Sequence, residues 1–324
     1  MSVSVKRNDP DTPATIMQET DRGRLRSMKR ITRREYTEFM KRNDCVTVGN
    51  VSIDLARRQE PDKYEPEGYV PEEWTVWSFR DRGDWATHSG NFRGNWSPYI
   101  PRNLILKYSS PGETVCDPMV GSGTTLVECA LLGRKGIGVD INPAAAMVAM
   151  NRLDFGVPGV KARSRREEVF VGDARNLDLL ADGSAHLVLI HPPYCGIIKY
   201  GGSSVAGDLS NLNLRDFLDS MRTVASEAFR ILGEGRYCAV LIGDTRNRRH
   251  YVPISIGVLN SFMAAGFVLK EDIIKIQHGT SSGRQRWKGH RYDFYKIGHE
   301  HLYVFRKPLP SEKVSVLKNS IKWW

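Results

Sequence analysis

The sequence predicts an α/β protein with a doubly wound, mostly parallel sheet. From about Trp74 onward, short β-branched runs alternate with segments of helical periodicity, which is the pattern of such a sheet. One strand ends at an aspartate and leads through a turn with two glycines into a helix, over residues 114–126. The last two strands follow each other without a helix between them, which predicts an antiparallel hairpin. These three observations indicate a Rossmann-like sheet of seven strands with a C-terminal antiparallel hairpin.

The change of periodicity along the chain predicts seven strands and five helices. Gly133 follows the second helix, at a position where glycine commonly ends helices. Pro143 begins the third helix, where the missing N–H of proline is tolerated. The predicted strands are residues 114–116, 136–139, 168–171, 186–190, 237–242, 267–276 and 301–305, and the predicted helices are about 101–109, 124–132, 143–152, 214–232 and 253–264.

The charge of the chain is positive and unevenly distributed. The 324 residues carry a net charge of +10, with an isoelectric point of about 9.4. Residues 22–42 and residues 243–307 each carry +7, whereas residues 43–75 carry −5. Clustered positive charge favours a surface that binds a polyanion. The same contrast predicts two segments: residues 1–75 are a basic N-terminal extension with an acidic linker, and residues 76–324 are the α/β domain.

Composition excludes several classes of protein. No stretch approaches the roughly 20 apolar residues of a membrane helix, and the N-terminus lacks the apolar core of a signal peptide. A cytoplasmic protein without a membrane partner is therefore expected. The five cysteines show no CxxC spacing, so neither a disulfide framework nor a metal site is expected.

Three aspartates follow three successive predicted strands. Asp117 ends the strand before the glycine turn, Asp140 ends the next strand 23 residues later, and Asp173 follows the third. In a doubly wound sheet, ligands bind at the carboxyl ends of the strands, where these side chains converge. Gly121 and Gly123 allow close approach of the backbone to a ligand. The dinucleotide motif is absent, because no third glycine follows, so a nucleoside that carries a cation or an amino acid is expected.

The fourth strand leads into the sequence His-Pro-Pro-Tyr at residues 191–194. Two prolines fix the backbone and remove two N–H groups, so the turn presents carbonyl oxygens beside an aromatic ring. This arrangement suits a planar substrate with an amino group. The carbonyl of Pro192 and the side chain of His191 accept hydrogen bonds from its N–H groups, and Tyr194 stacks on its ring. A base of a duplex must leave the helix to reach such a turn.

These motifs, in this order, resemble the N6-adenine/N4-cytosine DNA methyltransferase family. The resemblance rests on DPMVGSGTT at residues 117–125, VDIN at 139–142, GDARN at 172–176 and HPPY at 191–194. It extends to residues 94–104, which look like the family's segment near the methionine part of the cofactor, and it spans about residues 76–307. The resemblance implies S-adenosyl-L-methionine as the cofactor and DNA as a partner, with a restriction-system partner possible.

The resemblance and the motifs together give two sets of candidate residues. The candidate catalytic residues are His191, Pro192, Pro193 and Tyr194. The candidate cofactor contacts are Asp117, Pro118, Gly121, Gly123, Thr124, Asp140, Ile141, Asp173 and Ala174.

His191 departs from the family pattern, which usually has Asp, Asn or Ser at this position. A neutral imidazole has one acceptor nitrogen and an imidazolium has none. We therefore expect His191 to act in its neutral form, and activity to fall as the pH drops through its titration. The departure also leaves the choice between adenine and cytosine open.

Cations and aromatic residues alternate in the segment between the last two strands, which makes it the candidate DNA-binding surface. These side chains can contact phosphates or base edges, or stack on bases. The candidates are Arg284, Arg286, Trp287, Lys288 and Arg291. Arg246, Arg248 and Arg249, which follow the fifth strand, are further candidates for phosphate contacts.

Two other functions remain open at this point. The first is an amino-methyltransferase that acts on RNA or protein, since related turns occur in enzymes of those kinds. The second is a DNA-binding subunit without catalytic activity, with His191 as the mark of its decay. The retained aspartates and glycines of the cofactor motifs argue against the second.

Overall fold

The centre of the computed structural model is a mostly parallel sheet of nine strands. The structure describes residues 25–57, 59–92, 94–159, 167–194, 205–278 and 293–321. The strands are β1 (Lys29–Arg30), β2 (Cys45–Val48), β3 (Val51–Asp54), β4 (Val76–Ser78), β5 (Thr114–Asp117), β6 (Lys135–Asp140), β7 (Glu168–Val171), β8 (Ala185–Ile190), β9 (Leu232–Ile242), β10 (Thr245–Asn247), β11 (His250–Val252), β12 (Val268–Ile276) and β13 (His299–Arg306). The helices are α1 (Arg33–Met40), α2 (Tyr99–Tyr108), α3 (Thr124–Leu131), α4 (Pro143–Arg152), α5 (Leu214–Ile231), α6 (Ile254–Ala264) and α7 (Lys318–Ile321).

The order across the sheet is β1-β7-β6-β5-β8-β9-β13-β12-β4. Strands β5 to β9 are parallel to one another, and β13 lies antiparallel between β9 and β12. The seven central strands are the predicted ones, so the doubly wound sheet and its terminal antiparallel hairpin are confirmed. The sequence missed the edge strands β1 and β4, which have only two and three residues and therefore show no periodicity.

The two faces of the sheet are covered by different helices. Along β8, Leu187 and Leu189 pack with α2, whereas Val188 and Ile190 pack on the opposite face with α5 and α6. Alternate residues of a strand point to opposite faces, so a strand buried on both sides reads as a continuous apolar run. This double burial places the ends of the strands, rather than a face of the sheet, within reach of a ligand.

The described part of the N-terminal segment packs against the sheet and its helices. Strand β1 pairs antiparallel with β7, and the backbone N–H of Met28 donates to the Asp178 carboxylate at 2.9 Å. Helix α1 begins with a capping box between Thr32 and Glu35. The β2–β3 hairpin packs on α4, where it shares a buried cluster with Val148. These contacts bring the hairpin to the carboxyl edge of the sheet.

Among the described residues, no helix combines the length and apolar character that crossing a membrane requires.

Candidate active site

One pocket at the carboxyl edge of the sheet contains most of the predicted site residues. Parallel strands end at the same edge, so the residues that follow β5, β6, β7 and β8 converge there. Of the predicted residues, the pocket is lined by Asp117, Pro118, Gly121, Asp140, Ile141, Asp173, Ala174, His191, Pro192 and Pro193. The cofactor motifs and the Pro-Pro turn therefore face one continuous space.

The glycine turn is held to the end of β6 through Asp140. One carboxylate oxygen accepts the Gly121 N–H at 2.9 Å, and the other accepts the Asn142 N–H at 2.8 Å. Gly121 has a φ of 52°, and a Cβ there would lie 3.2 Å from the ring of Phe92. The turn thus brings backbone close to the pocket while it fixes the orientation of the Asp140 carboxylate.

Burial raises the pKa of both carboxyl groups that end β5 and β6. Asp117 is 2% exposed, and its oxygens accept the Met119 N–H at 3.1 Å and the Thr125 hydroxyl at 2.5 Å. Desolvation raises its pKa to about 7, although these hydrogen bonds oppose the shift. Desolvation also raises the pKa of Asp140 to about 6. A cation in the pocket would favour the ionised form of both groups, which suits a ligand with positive charge.

Gly123 and Thr124, two predicted cofactor contacts, lie outside the pocket lining. Gly123 has a φ of 86°, and a Cβ there would lie 3.1 Å from the Cα of Ala149 in α4, so this glycine permits close packing of helices. The Thr124 hydroxyl donates to the side-chain oxygen of Asn95. Since Asn95 lines the pocket, Thr124 contacts the site through it.

Asp173 forms an ion pair with Arg175, which the sequence analysis does not identify as a site residue. The Arg175 guanidinium donates to both carboxylate oxygens, at 2.9 and 2.7 Å, and also to the carbonyl of Gly207 at 3.1 Å. The carboxylate lines the pocket all the same, and each of its oxygens has lone pairs beyond these bonds. The bidentate pair fixes the orientation of Asp173 and ties it to residues 207–209, which line the same pocket.

His191, which directly precedes the two prolines of the turn, stacks on Trp96. The ring centroids are 5.5 Å apart, and the planes differ by 13°. Its Nε2 atom is buried and has no hydrogen-bond partner among the described residues. Burial lowers the pKa of His191 to about 4, so the imidazole is neutral at physiological pH. A buried nitrogen of a pocket residue, without a partner in the described residues, is suited to a hydrogen bond with a ligand.

Tyr194 is held by a buried ion pair between two residues that are distant in the sequence. Its hydroxyl donates to the Glu300 carboxylate of β13, and the Lys275 ammonium of β12 donates to the other oxygen at 2.9 Å. Glu300 is 5% exposed. A Cβ on Gly243 would lie 2.9 Å from the Tyr194 ring, so only glycine fits against it at the end of β9. Tyr194 is not in the pocket lining itself; it packs edge-on to His191.

A network of buried polar groups positions the residues that precede α2. Arg82 donates to the carbonyls of Asn95 and Trp96 at 2.9 and 2.6 Å, which fixes the segment that carries the Trp96 ring. Glu128 of α3 is fully buried, and it accepts hydrogen bonds from Trp85, His88 and Arg102. Residues 94–96 therefore form a fixed part of the pocket wall, with Trp96 against His191.

The structure thus brings most of the cofactor and catalytic candidates together at one pocket, whereas Gly123, Thr124 and Tyr194 lie outside its lining. Arg284, Arg286, Trp287, Lys288 and Arg291 lie outside the described residues. Sequence reasoning missed Val48, Phe92, Arg175, Lys275 and Glu300 as site residues. A basic residue two positions after Asp173 was visible in the sequence, whereas the contacts of Val48, Lys275 and Glu300 depend on the tertiary fold.

The residues of this pocket fit S-adenosyl-L-methionine. The carboxylate of Asp140 suits ribose hydroxyls, and the apolar side chains of Ile141 and Ala174 suit the faces of a flat ring. The buried Asp117, with its raised pKa, suits the positive end of an amino acid. In the described residues, no group of side chains could hold a metal ion.

Comparisons with known proteins agree with this site. A family model described as DNA methylase, for N6 and N4 methylases, matches residues 30–151. Type II methyltransferase M.MjaI of Methanocaldococcus jannaschii is 33% identical over 127 residues, which are 36% of this chain and 42% of that protein. Type II methyltransferase M.HpaI of Haemophilus parainfluenzae is 49% identical over 51 residues, or 16% of each chain. The tRNA (guanine(10)-N2)-dimethyltransferase of Methanothermobacter thermautotrophicus is 32% identical over 137 residues, which are 42% of this chain and 37% of that protein.

The chain spans less than half the length of each of these three relatives. Among solved structures, TrmN from Thermus thermophilus matches 66% of this chain and 50% of its own, with 18% identity and a TM-score of 0.44. The family model and the relatives support S-adenosyl-L-methionine as the cofactor. They also confirm the resemblance to the N6-adenine/N4-cytosine DNA methyltransferase family that the sequence motifs indicated.

Proposed function

We propose that this protein transfers a methyl group from S-adenosyl-L-methionine to an exocyclic amino nitrogen of a flipped base in DNA, either N6 of adenine or N4 of cytosine. One observation carries the proposal. The Pro192-Pro193 turn and the buried nitrogen of His191 face the same pocket as the carboxylates of Asp117, Asp140 and Asp173. A substrate amine at the turn therefore lies beside a cofactor held by the carboxylates.

The turn offers the orientation that this reaction needs. An exocyclic amine is a poor nucleophile, because its lone pair is delocalised into the ring. The carbonyl of Pro192 and the neutral imidazole of His191 accept hydrogen bonds from its two N–H groups. These bonds direct the nitrogen toward the cofactor, which supplies an electrophilic methyl group. Such catalysis consists of orientation and electrostatic stabilisation and needs no covalent intermediate with the protein.

Tyr194 and Trp96 give the turn aromatic walls. Tyr194 stacks on the base in this proposal, and the Glu300 carboxylate fixes its hydroxyl. Trp96 covers one face of His191 and so sets the plane in which the acceptor nitrogen lies. The segment with Arg284, Arg286, Trp287, Lys288 and Arg291 is proposed to contact DNA on the grounds of its charge and aromatic content. Residues 1–75 and 76–324 are proposed as the extension and the methyltransferase domain.

A second candidate substrate is a base in RNA. The identity with the tRNA dimethyltransferase, which covers 42% of this chain, favours it. Two of the relatives described above are instead type II methyltransferases, and one of them has the higher identity over a shorter stretch. We therefore place DNA first.

Transfer of label from radioactive cofactor to DNA, RNA or ribosomal protein distinguishes these substrates. We expect label in DNA, in the amino group of adenine or cytosine. Expression in a host free of DNA methylation, followed by single-molecule sequencing, then identifies the base and its sequence context. Label in RNA alone would exclude the DNA assignment, and label in none of them would indicate a subunit without activity.

Variants of the turn test the roles of its residues. His191→Ala and Tyr194→Ala should abolish methylation while cofactor binding is retained, because His191 lines the pocket at the turn and Tyr194 packs edge-on against it. His186 lies at the opposite end of the same strand, where it accepts the Thr114 N–H at 3.2 Å, and it provides a matched control. His186→Ala should keep full activity. Full activity in both turn variants would exclude the catalytic assignment.

A further inference from the structure

A small hairpin follows β9, at the same edge of the sheet as the Pro-Pro turn that follows β8. Strands β10 and β11 pair antiparallel and follow β9 directly, with Asn247 opposite His250. The two residues at its tip are Arg248 and Arg249. Gly243, which contacts the Tyr194 ring, is five residues before Arg248. Five residues of extended chain span at most about 18 Å, so the tip lies within that distance of Gly243.

The backbone at the tip is in the left-handed region at both positions. Arg248 has a φ of 46° and Arg249 a φ of 73°. A two-residue hairpin turn of this kind requires positive φ at both central residues, and Asn-Gly is the sequence that it favours. A side chain with a Cβ costs roughly 1 kcal/mol or more in this region. The turn therefore carries two arginines at positions where the fold alone favours other residues.

The rest of the hairpin is fixed to the domain. The Asp244 carboxylate accepts the N–H and the hydroxyl of Ser255 in α6, each at 2.7 Å, and also the Tyr251 hydroxyl. Arg246 lies 4.7 Å from the ring centroid of Phe294 and donates to the Tyr295 carbonyl at 2.8 Å. Arg246 thus serves the structure, and the tip is held at a defined position.

The two tip arginines have no such structural role. Both are exposed, and neither guanidinium forms an ion pair with a carboxylate in the described part of the chain. Strained backbone that persists at a charged surface indicates a function in which the side chains take part. Guanidinium groups bind phosphate oxygens in a bidentate manner, and the surrounding residues 243–307 carry a net charge of +7.

We propose that Arg248 and Arg249 form a clamp on the DNA backbone, each on one phosphate, next to the base that enters the pocket. This inference rests on the proposed function, since it assigns the clamp to the same substrate. Phosphate contacts carry no sequence information, so the clamp fixes the position of the strand and leaves recognition to other residues. Its hairpin follows Gly243, which contacts Tyr194, and so lies at the edge of the sheet where a base rotated out of the duplex would enter.

The double variant Arg248→Asn/Arg249→Gly removes both charges and gives the turn its preferred sequence. It should therefore fold at least as well as the wild type, which thermal unfolding can verify. Loss of two phosphate contacts lowers the slope of log Kd against log salt by about 1.8. The ratio of variant to wild-type Kd for a fluorescent DNA duplex should then be about tenfold larger at 50 mM salt than at 200 mM. Cofactor affinity should not change.

A control variant separates the clamp from a general effect of charge. Lys107→Gln/Lys270→Gln removes two exposed cations near the start of β5 and of β12, at the opposite edge of the sheet. It should leave the salt slope at the wild-type value. Equal slopes for the hairpin variant and the wild type would overturn the clamp. A reduced slope on a structured RNA but not on DNA would overturn the DNA assignment of the clamp.

The failure of this inference can be told apart from the failure of the proposed function. Wild-type protein that binds and methylates DNA with a slope unaffected by the hairpin variant contradicts the clamp alone. Wild-type protein that places no label in DNA contradicts the proposed function, and the clamp with it.

Discussion

The indole ring of Trp96 lies nearly parallel to the imidazole ring of His191, with the ring centroids 5.5 Å apart. The two residues are far apart in the sequence, and the carbonyls of Asn95 and Trp96 are both fixed by Arg82. The stack holds the plane of the imidazole, and therefore the direction in which its unpaired Nε2 atom can accept a hydrogen bond. In the proposed reaction, His191 supplies the acceptor at the position where the family usually has Asp, Asn or Ser.

The first prediction concerns the pH dependence of methyl transfer. Burial lowers the pKa of His191 to about 4, and only the neutral imidazole can accept a hydrogen bond. At saturating cofactor, kcat should stay level from pH 8 down to about pH 5 and fall as the pH drops through about 4. Single-turnover rates in short incubations measure this. A tenfold fall in kcat between pH 7.5 and pH 6 would contradict it.

A matched variant identifies the group that titrates. His191→Asn supplies an amide oxygen as the acceptor and has no proton to gain in this range. It should retain activity and lose the acid limb of the profile, whereas His191→Leu should be inactive at every pH. An acid limb that persists in His191→Asn would assign the titration to another group.

The second prediction concerns the buried carboxylate behind Tyr194. Glu300→Ala removes the acceptor of the Tyr194 hydroxyl and leaves the Lys275 ammonium without its partner. Breaking a buried ion pair in this way costs about 3–5 kcal/mol of stability. We also expect kcat to fall by about 10-fold or more with unchanged cofactor affinity, because a displacement of about 1 Å at a catalytic group has effects of this size.

A second variant separates positioning from stability. In Lys275→Met/Glu300→Leu both charges are replaced by apolar side chains, which commonly restores stability lost with a buried pair. This variant should unfold near the wild-type temperature and still transfer methyl groups slowly, because Tyr194 has lost its anchor. Recovery of both stability and kcat would mean that Glu300 acts only in the core.

The third prediction links cofactor binding to pH through Asp117 and Asp140. Their pKa values of about 7 and about 6 lie above the ordinary value of 3.8, because burial disfavours the charged form. Their contribution to folding stability is therefore fully present below pH 3.8 and is lost as the pH rises through 6 and 7. A bound cation reverses this, and each pKa unit that it restores adds about 1.4 kcal/mol to binding.

Thermal unfolding measures this linkage. The rise in Tm with saturating S-adenosyl-L-methionine should be larger at pH 8 than at pH 5.5. Asp117→Asn should make the cofactor-induced rise in Tm more similar at pH 8 and pH 5.5. Asp154→Asn, a control outside the pocket, should not change this dependence on pH. A rise in Tm independent of pH would show that neither carboxylate meets positive charge in the cofactor.

The fourth prediction distinguishes the two glycines of the turn. A Cβ at Gly123 would lie 3.1 Å from the backbone of Ala149, which cannot move away, whereas a Cβ at Gly121 would meet the mobile ring end of Phe92. Gly123→Ala should therefore lower the free energy of unfolding by about 1–3 kcal/mol, which is more than Gly121→Ala lowers it. Gly121→Ala should weaken cofactor binding by more, because Gly121 lines the pocket. Urea denaturation and calorimetric titration measure the two effects, and the opposite ranking would contradict the assignment.

The parts of the fold that the sequence predicts are those with local signals. Helix α4 agrees with its prediction, residues 143–152, because Pro143 and the Asn142 cap mark its start. Strand β9 begins at Leu232, five residues before its predicted start, because Gly233 and Gly235 weaken the strand pattern there. The three carboxylates converge as predicted, since the carboxyl ends of parallel strands share one edge.

The parts of the site that the sequence does not predict are contacts between distant segments. Glu300 could be placed on a closing strand, but not against Tyr194, because their contact depends on β13 lying beside β9. In the same way, Val48 reaches the pocket only through the packing of its hairpin on α4. The stack of Trp96 on His191 likewise requires two loops whose approach no periodicity records.

The position of β13 has a consequence for the biosynthesis of the protein. Glu300 follows Tyr194 by 106 residues, and its strand inserts between β9 and β12. A ribosome that adds about 5–20 residues per second needs roughly 5–20 seconds to make that stretch. During this interval the nascent chain already contains the cofactor motifs, and from the synthesis of β9 until that of β13 the edge of β9 is free to pair with other chains. Synthesis of β13 thus both fills the place between β9 and β12 and anchors Tyr194, so the proposed active site is complete only once this strand has formed.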